Sequence, residues 1–365
     1  MSGPTPKPGI LDIPHYVPGK ARIEGVARPL KLSANENPLG CSPKAREAYL
    51  AAAETLHLYP DPRSGQLRAA VAEAFDLEPE RLIFGCGSDE LFNFVCQAFC
   101  APGDNVVQPA HGFAAWAIAA RAAGAEVRDA PERDLTVEVD ALLARVDART
   151  RIVFLANPAN PTGTWLPFSE VRRLHAALPS DVILLLDAAY CEFAQGAKGY
   201  EDGLALARQA DNVFLTRTFS KLYGLATLRA GWGYAPEAMI AAMDRVRPPF
   251  NLSRPAEAAA TAALADTDFA ARSLDLVARW RPVYAERLAA LGFEPAPSAT
   301  NFITFRVPPG TGLTAQGLEQ ALAGHGVLIR GLTNYGLADC LRVTFGTDEQ
   351  SERVLGLIAA SAGKP

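Results

Sequence analysis

The sequence predicts an α/β protein: a large, mostly parallel, doubly wound sheet with a smaller α+β unit built from the chain ends. Three observations predict it. Short apolar runs alternate with helix-period segments from Arg81 onward. Many of these runs break off at a turn-forming or polar cluster, as expected where ligands bind beyond the carboxyl ends of parallel strands. Past Arg247-Pro248-Pro249 the spacing shortens and the pattern becomes that of a second unit. At 365 residues the chain is long enough for both. The expected division is 1–40 as an N-terminal arm belonging to the small unit, 41–250 as the large unit, and 251–365 as a linking helix with the rest of the small unit.

The elements follow in order. Ser42-Pro43 supplies a capping residue and a proline at the first helical position, opening a helix to about Leu56. Buried strands are expected at Arg81–Phe84, Asn105–Gln108, Arg151–Ala156, Val182–Leu186 and Val213–Thr216. Helices are expected at Asp89–Phe99, Ala114–Ala123, Ser169–Leu178 and Pro236–Val246. Beyond them come helices Pro255–Ala265 and Phe269–Leu291, the second long enough to link two regions. Strands Phe302–Arg306, Val327–Arg330 and Leu341–Phe345 then alternate with helices Thr314–Gly324 and Asp348–Ala362.

Composition narrows the function. A net charge of −5 argues against a nucleic-acid surface. No run of about 18 apolar residues marks a membrane span. Met1 to Gly9 is rich in Pro and Gly and lacks the apolar core of a signal peptide. Six cysteines show no metal-ligand spacing, and most lie in apolar surroundings, which points to free buried thiols in a reducing cytoplasm.

The most informative stretch runs from Thr218 to Arg229. Ser220 beside Lys221, with Arg229 eight residues after the lysine, suits a covalently held pyridoxal phosphate. The lysine amine bonds the cofactor aldehyde, and Ser220 and Arg229 hold its phosphate. Gly85-Cys86-Gly87-Ser88-Asp89-Glu90 reads either as a phosphate cradle at a helix start or as an ordinary turn with Ser88 as the cap. Asn157-Pro158-Ala159-Asn160-Pro161-Thr162-Gly163 is either a plain turn or a loop that aims Asn160 at a ring hydroxyl.

Asp187 follows five apolar residues, where a buried unpaired charge is costly. It is either a strand-end cap or the partner of a protonated ring nitrogen. Tyr190 either packs in the core or reaches the same ring oxygen as Asn160. His111, after another strand, is structural, solvated, or stacked on a flat cofactor. Tyr16 and Tyr59 are aromatics in Pro-rich segments, and Arg330 and Arg342 lie on short strands, facing solvent or capturing an anion.

Together these segments resemble the fold type I pyridoxal-phosphate aminotransferases, and within them the histidinol-phosphate aminotransferases. The resemblance runs from Tyr16 to the last helix and includes Leu32-Ser33-Ala34-Asn35-Glu36-Asn37-Pro38-Leu39-Gly40, Tyr59-Pro60, Asp187-x-x-Tyr190 and Leu341-Arg342-Val343-Thr344. It implies Lys221 as the cofactor-bearing lysine and proton carrier, and Asp187 on the pyridine nitrogen. It implies Asn160 and Tyr190 on the ring oxygen, with Ser88, Asp89, Ser220 and Arg229 around the phosphate. Tyr59 would come from the other subunit of a homodimer with shared sites. Tyr16, Arg330 and Arg342 would face small-molecule substrates.

His111 stands where the family often has Tyr or Phe, Ala159 replaces a frequent Asn, Ala188 a frequent acidic residue, and Thr227 a common Gly. The implied reaction is transamination between histidinol phosphate and 2-oxoglutarate. The alternatives are an aromatic or broad-specificity aminotransferase, and a threonine-phosphate decarboxylase on the same fold. A cofactor-binding regulator would need a fused DNA-binding domain, for which the sequence has no segment.

Overall fold

The computed structural model describes residues 3–310 and 312–363. Its centre is a seven-stranded sheet. The strands are β1 (Leu82–Gly85), β2 (Asn105–Pro109), β3 (Glu126–Ala130), β4 (Thr150–Ala156), β5 (Ile183–Asp187), β6 (Val213–Thr218) and β7 (Gly231–Tyr234). Their spatial order is β1-β7-β6-β5-β4-β2-β3. β2 to β6 pair in parallel with their neighbours, and β7 runs antiparallel to both β1 and β6.

The inner strands β4, β5 and β6 are largely apolar because both faces are covered. Ile152 and Phe154 of β4, Ile183 and Leu185 of β5, and Phe214 of β6 pack on one face. The intervening Val153, Leu155, Leu184, Leu186, Val213 and Leu215 pack on the other. Helices Ser88–Phe99, Ala114–Ala123 and Glu237–Asp244 cover the first face. Helices Gly65–Phe75 and Phe168–Ala177 contribute Leu67, Val71, Val171 and Leu174 to the second.

A separate four-stranded antiparallel sheet comprises β8 (Glu294–Pro295), β9 (Phe302–Arg306), β10 (Arg330–Leu332) and β11 (Leu337–Thr344), in the order β8-β9-β11-β10. The segment Leu30–Lys31 pairs in parallel with Val327–Leu328, so the N-terminal arm is stitched to the C-terminal third. The 24-residue helix Thr267–Ala290, capped by Asp266, connects the two regions.

Several expected boundaries move. The first helix ends at Ala52 and continues as a single tight turn, Ala53–Thr55. The expected strand Val327–Arg330 is two short strands, because Val327–Leu328 serve the N-terminal arm and Arg330–Leu332 serve the small sheet. β3, β7 and helix Gly65–Phe75 were not expected. β3 is an edge strand with polar, partly exposed residues, and β7 carries two glycines, so neither has the apolar run that marks a buried strand.

Candidate active site

Five chain crossings at the carboxyl edge of the large sheet build one cavity of about 720 Å³. β5 ends on Asp187, β6 runs into Ser220-Lys221, and β4 into Asn157-Pro158-Ala159-Asn160. β1 turns through Gly87 into helix Ser88–Phe99, and β2 leads to Phe113. Asp187, Lys221, Asn160, Tyr190, Ser88, Asp89, Ser220 and Arg229 all line the cavity. Tyr16, Arg330 and Arg342 line it from the small unit and the N-terminal arm.

Asp187 is buried, and burial raises its pKa to about 7, partly offset by the Ala189 N–H at 3.2 Å and the Thr216 hydroxyl at 3.4 Å. Lys221 is held down to about 8, first by burial and then by the charge of Arg342. Its Nζ lies 3.4 Å from the Ala34 carbonyl and 5.7 Å from the centre of the Tyr190 ring. Tyr190 is itself raised to about 12 by burial, and its hydroxyl oxygen accepts a hydrogen bond from Asn35 Nδ2 at 2.8 Å.

A second group of residues forms an anion cradle. Gly87 has φ +87°, and a Cβ there would lie 2.1 Å from Arg229 Nη2. Helix Ser88–Phe99 begins at this glycine and leaves its first N–H groups pointing outward. Gly87, not Ser88, is the capping residue, so the reading of Ser88 as a simple cap fails. Arg229 donates to Ser220 Oγ at 3.3 Å and to Asp89 Oδ1 at 2.6 Å. Gly231 of β7 presses on the helix start: a Cβ there would meet Ser88 N at 2.4 Å.

A third group lies on the small unit. Arg342 of β11 is buried, donates to Ser33 O at 3.1 Å and to Asn160 Oδ1, and its Nε has no hydrogen-bond partner among the described residues. Solvent exposure, one of the two readings of its strand, is excluded. Arg330 is buried as well and donates to Val17 O at 2.6 Å, which sets it beside Tyr16. Tyr16 meets Phe113 edge-on at 6.4 Å.

Two residues are placed outside the cavity. His111 lines a narrow crevice with Glu132 and Asn160, and its Nδ1 is 2.7 Å from Tyr335 O. Phe113 supplies an aromatic ring to the main cavity wall instead. Tyr59 is 79% exposed and stacks on Phe250 at 4.7 Å. The cysteines are only partly as expected: Cys96, Cys191 and Cys340 are buried, but Cys86 is exposed beside the cradle.

Asn35 also lines the cavity, and the Leu32–Gly40 motif that contains it does not mark it as a site residue. Asn35 and Asn37 stand two apart in that motif, Asn157 and Asn160 three apart in the Pro-rich loop, and nothing in the local pattern tells which of them turn inward.

The chemistry of these donors defines a class of ligand. Among the described residues Asp187 has no salt-bridge partner and Lys221 no carboxylate partner; the buried carboxylate calls for a cation, and the buried amine favours its neutral, nucleophilic form. The glycine-shaped cradle calls for an anion. A molecule with a cationic ring nitrogen, an aldehyde and a phosphate meets all three demands, and pyridoxal phosphate is such a molecule.

A family model for aminotransferase class I and II matches residues 27–358, and the chain belongs to that family. Its cofactor is pyridoxal 5'-phosphate. Within the family the chain falls among the histidinol-phosphate aminotransferases. It is 55% identical over 359 residues to histidinol-phosphate aminotransferase 1 of Caulobacter vibrioides, covering 98% of this chain and all of that one. It is 47% identical over 363 residues to the histidinol-phosphate aminotransferase of Paramagnetospirillum magneticum, with both chains fully covered. The crystal structure of the Sinorhizobium meliloti histidinol-phosphate aminotransferase with pyridoxal-5'-phosphate superposes with a TM-score of 0.88 at 29% identity, covering 99% of each chain. A Thermus thermophilus aspartate aminotransferase, at 20% identity and TM-score 0.80, shares the fold.

Proposed function

We propose that this chain transfers an amino group between histidinol phosphate and 2-oxoglutarate, a step of histidine biosynthesis. The observation that carries the substrate reading is that one cavity holds two separate arginine sets. Arg229 with the helix start at Ser88 forms one, and Arg330 with Arg342 forms the other. A phosphate-bearing cofactor and an anionic substrate need one each.

Bound in this cavity, pyridoxal phosphate supplies an aldehyde for amine exchange and an electron-poor ring that stabilises negative charge at the substrate's α-carbon. The residues do the rest. Asp187 holds a positive ring nitrogen, and the low-dielectric pocket that raises its own pKa strengthens that pairing. Asn160 and Tyr190 hold the ring oxygen. Ser88, Asp89, Ser220 and Arg229 surround the phosphate, the first two through backbone N–H groups.

Lys221, with its amine near neutrality at about 8, takes the proton from the α-carbon and returns it. Arg342 grips the α-carboxylate of glutamate, and in the other half-reaction it joins Arg330 and Tyr16 on the substrate phosphate. One anion site thus serves two substrates in turn.

Tyr59, exposed in this chain, reaches the phosphate site of a second subunit, so the enzyme is a homodimer with shared sites, working in the cytoplasm. In this reading 41–250 form the cofactor-binding unit, and 1–40 with 251–365 form the unit that brings the substrate arginines.

Half-reaction spectroscopy tests the substrate. Histidinol phosphate and glutamate should each convert the cofactor's absorbance quickly. If phenylalanine or tyrosine reacts faster than histidinol phosphate, the enzyme is an aromatic aminotransferase instead.

A further inference from the structure

Asn35 occupies an unusual place. It is 1% exposed and has φ +57°, in the left-handed region that asparagine tolerates better than most residues. Its backbone N–H donates to Thr344 Oγ1 at 2.9 Å, and its carbonyl accepts from Asn301 Nδ2 at 3.0 Å. The Thr344 hydroxyl donates in return to Asn35 Oδ1 at 3.2 Å. The side-chain oxygen is thereby occupied, and the amide nitrogen is turned toward the Tyr190 hydroxyl at 2.8 Å. Tyr190 packs edge-on against Phe302 at 5.3 Å, so its ring has little freedom.

We propose that Asn35 is a positioning residue for Tyr190: by donating to the phenol oxygen, it commits the Tyr190 proton to the cavity, where it bonds the cofactor's ring oxygen. A phenol has one proton and two acceptor sites. An acceptor at Asn35's position would draw that proton away from the cavity, whereas a donor leaves it free. The Thr344 hydroxyl on Oδ1 fixes which end of the amide faces the phenol, and Asn301, on the backbone carbonyl, holds the residue in place. The inference rests on the proposed contact between Tyr190 and the ring oxygen, and deepens it.

The same hydrogen bond favours the charged form of Tyr190, against the burial that raises its pKa. Asn35 thus strengthens Tyr190 as a donor, as does the nearby charge of Arg342. A stronger donor on the ring oxygen stabilises the state with more negative charge there, which is the deprotonated state of the lysine-bound cofactor. Weakening the donor therefore raises the pH at which the cofactor's visible absorbance titrates.

The test is a pH titration of that absorbance in the holoenzyme. Asn35→Gly removes the donor and suits the positive φ, and Asn35→Asp keeps the shape and offers an acceptor. Tyr190→Phe is the reference. Each of the three should raise the midpoint by about one pH unit or more, the shift expected from losing one charge-assisted hydrogen bond.

In the Tyr190→Phe background, Asn35→Gly should add no further shift. kcat should fall more than KM rises, because the substrate arginines are untouched. Thermal unfolding of each variant checks that it is folded.

If Tyr190→Phe leaves the midpoint in place, the contact with the ring oxygen fails and the inference with it. If Tyr190→Phe moves the midpoint but Asn35→Gly and Asn35→Asp do not, the contact stands and the inference alone is overturned. Shifts that simply add in the double variant overturn it as well.

Discussion

Asp187 and Lys221 end or follow adjacent parallel strands, face one cavity, and are displaced in opposite directions by the same burial: the carboxyl upward to about 7, the amine downward to about 8. No salt bridge joins them, so each keeps its chemistry for a ligand. The folded protein carries this as a cost, and that cost is measurable.

Asp187→Asn should stabilise the cofactor-free protein in a pH-dependent way. The folded carboxyl binds its proton more tightly than the unfolded one, so it contributes stability below pH 3.8 that is lost as pH rises through about 7. The variant lacks this loss. Its advantage should widen between about pH 4 and pH 7 and reach the order of a few kcal/mol, read from denaturant unfolding at each pH. The same variant should lose far more than tenfold in turnover, more than about 1.4 kcal/mol of barrier. Turnover within tenfold of the parent would make Asp187 a strand-end cap only.

Lys221→Ala should abolish transamination while the protein still folds and binds pyridoxal phosphate without a covalent bond. Borohydride reduction and peptide mapping of the parent should find the cofactor on Lys221. Attachment at any other lysine ends the assignment.

Mixing Tyr59→Phe subunits with Lys221→Ala subunits should restore activity in the hybrids. If Tyr59 crosses to its partner, both defects fall in one composite site and the other site is fully native. An active monomer at assay concentrations refutes the crossing.

Arg342→Ala should weaken glutamate and histidinol phosphate together, because the proposed function has the buried guanidinium grip an anion in each half-reaction. Tyr16→Phe should hurt the phosphorylated substrate more, since one hydroxyl suits an additional phosphate oxygen. Steady-state kcat/KM for both substrates decides it. Unchanged values for Arg342→Ala place the anion site elsewhere.

Gly231→Ala should destabilise by about 1–3 kcal/mol, because the new methyl collides with the backbone of the helix start rather than with a movable side chain. Cofactor retention after dialysis should fall with it. Gly356→Ala, in helix Asp348–Ser361 with nothing near the new Cβ, should instead gain about 0.5–1 kcal/mol. Thermal unfolding of the two variants gives the contrast.

The buried strands were legible because residues such as Ile183–Leu186 are apolar on both faces, and the motifs at their ends marked the site. Chain-end contributions were less so. Leu30–Lys31 is too short to carry a pattern, and its partner strand lies far along the chain. His111 and Phe113 are two positions apart, and only the turn after β2 decides which ring meets the cavity. Asn35 acquires its role from Thr344 and Asn301, which no local spacing reveals. Thus the parts written into contiguous runs were readable, and those assembled from distant segments were not.

That distance has a consequence for how the molecule comes into being. Asn35 and Thr344 are 309 positions apart, and Leu30–Lys31 find their strand partner only at Val327–Leu328. A ribosome delivers the N-terminal arm first, yet the arm's partners emerge last, after the whole large unit has had time to fold. Order of synthesis and order of completion are reversed for this segment. A nascent chain stalled before β11 would hold the cofactor cradle with Arg342 missing and Asn35 without Thr344, and only the final stretch of translation closes the cavity.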